Sequence, residues 1–72
     1  MDRVNILLWA VTASLEMHPD RSLDERTLPA DLCPHERKEL LARLTRMGFY
    51  AYIREFFTSG QIGIVLVTER QK

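Results

Sequence analysis

TLPADLCPHERKELLARLTRMGFYAYIREFFTSGQIGIVLVT, Thr27 to Thr68, is the stretch whose reading decides the fold. Thr27 to Leu32 reads as a short helix limited by Pro29, and Cys33-Pro34 as a tight turn. Pro34 suits the first turn of a second helix, where its missing N–H costs nothing. Glu36 is favourable in that same turn. Leu40, Leu41, Leu44 and Met47 then recur on one side, while His35, Lys38, Glu39, Ala42, Thr45 and Arg46 point the other way. Arg37 lies nearer the apolar side, where its stem snorkels over the core edge. Glu39 and Arg43 are spaced to pair one turn apart. Gly48 stops the helix.

From Phe49 the pattern changes. Phe49 to Phe57 and Ile62 to Thr68 are rich in aromatic and branched residues, the composition of strands. Thr58-Ser59-Gly60-Gln61 is a hairpin tip. Gly63 marks either a bulge or a close backbone approach. On the first strand Tyr50, Tyr52, Arg54 and Phe56 share one face; Phe49, Ala51, Ile53 and Phe57 share the other. Both faces are apolar enough to be buried, and the face with Arg54 also has the composition of a base-stacking surface. Packing in the core is the plainer expectation. A lone hairpin needs a helix or a third strand beside it.

Upstream, Asp2 caps a helix running to about Met17, where His18-Pro19-Asp20 ends it. At about 100° per residue, Val4, Leu7, Leu8, Val11 and Leu15 form one stripe. Ile6, Trp9, Ala10, Ala13 and Met17 form a second on the opposite side. A surface helix needs one apolar stripe, so the second either lies under the hairpin or meets another chain. Ser22 with Glu25 matches a capping box, which predicts a turn of helix there. Glu69 to Lys72 reads as a frayed polar end.

Short helix, turn, longer helix, then hairpin resembles the winged helix-turn-helix superfamily, at the level of pattern and over about residues 27–68. The expected fold is α+β: one domain over residues 1–72, with an N-terminal helix, a helix-turn-helix and a C-terminal β-hairpin. The resemblance implies a DNA-binding transcriptional regulator. Its second helix would enter the major groove of double-stranded DNA, with Lys38, Thr45 and Arg46 outward and Arg54, Ser59 and Gln61 on the wing. A homodimer through Ile6, Trp9, Ala10, Ala13 and Met17 would present two such helices. The alternative is a protein-interaction module on the same scaffold, a small accessory or inhibitory factor, viral among the options, acting on a larger nucleic-acid or transcription machine. Trp9, Met17, Tyr50 and Tyr52 would be its anchors.

Composition narrows the field. Seventy-two residues with 46% hydrophobic and 28% charged side chains suit one small globular core. Ten basic and ten acidic residues cancel, which argues against a polybasic binder. The lone Cys33 excludes an intrachain disulfide, and with two histidines it is too little for a closed zinc site; a cytoplasmic setting is the expectation. Cys33 itself reads as a small buried hydrophobe at a turn. Ile6 to Val11 is too short to span a bilayer. Asp20, Asp24, Glu25 and Asp31 alternate with Arg21 and Arg26, the pattern of a solvated loop. His18 and His35 read as exposed residues beside prolines. No catalytic residues, metal ligands or cofactor are expected, and the chain reads as a non-enzyme.

Overall fold

The computed structural model describes residues Asp2 to Gln71. Helix α1 spans Arg3–Met17, strand β1 Leu23–Leu28, helix α2 Pro34–Arg46, strand β2 Phe49–Thr58 and strand β3 Gln61–Arg70. The three strands form an antiparallel sheet in the order β1-β3-β2. The fold is α+β, and its order is consistent with a small winged-helix-like layout.

Local chemistry accounts for the helix ends. Asp2 accepts the Asn5 N–H at 2.8 Å and closes the start of α1. At the start of α2 the Cys33 N–H donates to Glu36 at 3.3 Å, so the carboxylate satisfies an otherwise unpaired donor. Gly48 takes φ 93°, a left-handed value that favours glycine, and its N–H returns to the Thr45 carbonyl.

Both helices pack on one face of the sheet. Val4, Val11 and Leu15 of α1 meet Leu40 and Leu44 of α2 over Leu28, Ile64 and Leu66, with Leu32 closing the side. Phe49, Ala51 and Ile53 are half-buried at the margin of this core. Asp24 and Thr68 also face the helices, as cross-strand partners, and both are buried. Asp24 Oδ2 lies 3.7 Å from Arg26, whereas Asp24 Oδ1 and Thr68 Oγ1 have no hydrogen-bond partner among the described residues.

Two expectations are corrected. The short helix expected over Thr27 to Leu32, with a turn of helix from Ser22, is instead β1 and a turn closed by Leu32 N–H to the Pro29 carbonyl. The reason is tertiary. Without β1 the core-facing central strand would have a partner on one side only, and pairing with β3 outweighs a local capping signal. The supposed frayed end at Glu69 and Arg70 is the last part of β3: Arg70 N–H bonds the Ser22 carbonyl and its side chain reaches the carbonyls of Arg21 and Leu15. Lys72 lies outside the described residues.

Candidate functional site

The two stripes of α1 meet different fates. The Val4 stripe is in the core, and the opposite stripe faces solvent. Trp9 is 73% exposed, Met17 75% and Ile6 48%, with Ala10 and Ala13 half-buried between them. The hairpin does not fold over this side. Arg3, Ile6, Leu7 and Pro29 line a shallow, wholly apolar groove beside it.

On α2, Lys38, Thr45 and Arg46 are exposed and lie on one side of the helix. Neither Lys38 nor Arg46 pairs with a carboxylate among the described residues. Glu39 pairs with Arg43 at 2.8 Å, and Arg43 also reaches Asn5 on α1. The carboxylates of α2 therefore turn towards α1. Arg37 donates to the Leu32 carbonyl at 3.1 Å, so it caps the preceding turn as well as covering the core edge.

Arg54 does not join that surface. Alternation puts Arg54 on the sheet face opposite the helices, where it pairs with Glu25 of β1 at 3.5 Å across the central strand. Ser59 and Gln61 are exposed at the tip, where no charged side chain occurs from Phe56 to Gly63. β1 ends opposite Ile64, so the tip runs on as two strands, leaving Phe57 72% and Ile62 63% exposed. Lys38, Thr45 and Arg46 form one group; Arg54 stands apart from it.

The helix-free face of the sheet carries Tyr50, Tyr52 and Phe56 in the open, correcting the expectation that both faces of β2 are core. The Tyr50 and Tyr52 rings are tilted with centroids 5.9 Å apart. Phe56 lies over Gly63, its cross-strand partner: a Cβ on Gly63 would stand 2.3 Å from the ring. The strand register runs unbroken through Gly63, so of the two expectations for it the close approach is the one found.

The turn before α2 gathers Cys33, His35 and Glu36. The Cys33 thiol donates to Glu36 at 2.9 Å and lies 3.1 Å from His35 Nδ1, while Arg3 bridges Glu36 and Asp31. Cys33 is thus a half-buried helix-capping residue rather than a buried hydrophobe. Its thiol, the Arg3 guanidinium and its N–H together lower the Glu36 carboxyl from an ordinary 4.5 to about 2. Beside it lies an open cleft of about 380 Å³, lined by Asp2, Val4, His35, Glu36, Glu39 and Arg43. Among the described residues no three of His, Cys, Asp and Glu are grouped to hold a metal, and no helix is long and apolar enough to cross a membrane.

No family model matches the chain, and neither a curated protein nor a solved structure matches it.

Proposed function

We propose that the protein is a non-enzymatic interaction module that docks on another protein through the outward stripe of α1. The observation that carries this reading is the line Ile6, Trp9 and Met17, apolar and open to solvent around a half-buried Ala13, on a helix whose other side fills the core. Large exposed apolar side chains at helical spacing are the form of helix-in-groove anchors, and tryptophan leads the residues that dominate binding energy. A partner with an apolar groove of matching length fits it, on a larger nucleic-acid or transcription machine.

DNA recognition through α2 is the second reading, and the exposed Lys38, Thr45 and Arg46, with neither cation paired to a carboxylate among the described residues, favour it. Magnitude ranks it lower. Each phosphate neutralised contributes roughly −0.9 to the salt slope of binding, and strong binders use about 6–10 such contacts. Lys38 and Arg46 offer two cations, and the wing adds none beside them. The short first helix expected of a helix-turn-helix is instead the end of β1 and a turn from Pro29 to Leu32.

A pair of titrations separates the readings. The chain is expected to ignore random duplex DNA at low salt. Capture of a protein from extracts of the source cells should fall at least 10-fold with Trp9→Ala, since an anchor of this type is worth about 2 kcal/mol or more. Salt-sensitive duplex binding lost in Lys38→Ala/Arg46→Ala, with capture unmoved by Trp9→Ala, would replace this reading by the DNA one.

A further inference from the structure

The outer edge of β2 is an open row of backbone hydrogen-bonding groups. Ser59 and Gly60 take φ 51° and 76°, a two-residue turn whose closing pair, Thr58 and Gln61, bond each other. Hydrogen-bonding direction alternates along a strand, so even-numbered residues of β2 bond β3. Phe49, Ala51, Ile53, Glu55 and Phe57 then point their N–H and C=O groups outward. Among the described residues nothing bonds these groups. Edge strands are ordinarily blunted by proline, a bulge, shortness or charged side chains, lysine above all, and the only charges on β2 are the adjacent and opposite Arg54 and Glu55. β1, the other edge, is short and reads Leu-Asp-Glu-Arg-Thr-Leu. β2 is ten residues long, has an unbroken register and carries neither proline nor lysine. The core also runs out to this edge: Leu41, Phe49, Ala51 and Ile53 are only half-buried.

We infer that β2 pairs antiparallel with β2 of a second copy about a two-fold axis at Ile53, joining two three-stranded sheets into one. The strand is aromatic at both ends about that residue: Phe49 and Tyr50 on one side mirror Phe57 and Phe56 on the other. With Ile53 opposite the partner's Ile53, Tyr52 lies opposite the partner's Arg54, a cation–π pair, and Tyr50 opposite the partner's Phe56, an aromatic pair. On the helix side Ala51 meets the partner's Glu55 and Phe49 the partner's Phe57. Two-fold registers displaced towards the hairpin tip are worse. Centring on Arg54 sets arginine against arginine, and centring on Glu55 sets glutamate against glutamate, each a like-charge pair. Ring complementarity and the avoidance of like charges thus favour a second copy of this chain over an arbitrary strand. This interface is separate from the α1 stripe, so both can be occupied together.

The test is solution mass by light scattering. The chain should run at twice its 8.4 kDa. Glu55→Pro should halve that mass while keeping the circular dichroism of the fold, because the Glu55 side chain is exposed and its N–H points away from β3. Glu55→Ala and Trp9→Ala should both remain dimers. In a Cys33→Ser background, Tyr52→Cys/Arg54→Cys should oxidise to a covalent dimer, and neither Tyr52→Cys nor Arg54→Cys alone should. A monomeric wild type, a folded Glu55→Pro dimer, or a dimer lost only in Trp9→Ala would overturn the edge pairing. Cross-linking by either single variant would overturn the register. None of these results depends on whether the α1 stripe binds another protein.

Discussion

A phenyl ring resting on a glycine is the most exacting contact on the open side of the sheet. Gly63 leaves bare backbone in the central strand, and Phe56 covers it. Gly63→Ala must swing the ring outward, because the new Cβ would sit far inside contact distance. The ring is the free end of a side chain on an exposed strand, so the cost is modest: about 0.5–1 kcal/mol by urea unfolding, the scale of one cross-strand pair. In Phe56→Ala that cost should largely vanish, a coupling that a double-mutant cycle reads directly. Glu36 gives a second residue-scale outcome. Its folded pKa lies below its unfolded one, so its stabilising contribution is present in full above about 4.5 and is lost as pH falls towards 2. Melting temperature followed from pH 5 to 2 should fall less steeply in Glu36→Gln than in the parent. The Gly63 contact was legible in the sequence because glycine inside a strand has few reasons to be there. The Glu36 cluster was legible only in part: its place in the first turn of a helix could be read, whereas Arg3, thirty-three residues away, could not.

At the scale of elements, α1, α2 and the hairpin follow from periodicity, capping and turn chemistry, and β1 does not. The side of β1 that meets the helices carries Asp24, Arg26 and Leu28, so its inward positions are largely polar and the usual alternation is absent. Ser22 and Glu25 supply a competing local signal for helix, and Pro29 bounds it from the other side. What decides the matter lies far along the chain, in the pairing of Leu23 with Glu69 and of Leu28 with Ile64. Ser22→Ala tests this. A Ser cap would cost about 1 kcal/mol on removal. Ser22 is exposed and contributes only its carbonyl, to Arg70, so the change should stay within about 0.5 kcal/mol in thermal unfolding.

For the whole molecule, what could be read from the sequence was which side chains share a face, and what could not was which face stays bare. Two stripes on α1 and two faces on β2 were plain from period 3.6 and period 2. Covering them depends on how little material a small chain has: both helices lie on one face of the sheet, which leaves the outer side of α1 and the Tyr50-Tyr52-Phe56 face uncovered. The same geometry separates Arg54 from Lys38 and Arg46, a separation that no linear pattern reports. The two-residue turn at Ser59-Gly60 has a consequence for the protein's clock as well as its shape. It fixes which amides of β2 are tied to β3. In the single copy, deuterium should enter β2 with a beat of two, slowly at Tyr50, Tyr52, Arg54 and Phe56 and quickly at Ala51, Ile53 and Glu55. In the paired form the beat should fade over this stretch as the quick amides gain partners. β3, bonded on both sides along Ile64 to Glu69, should keep time only with the unfolding of the whole chain.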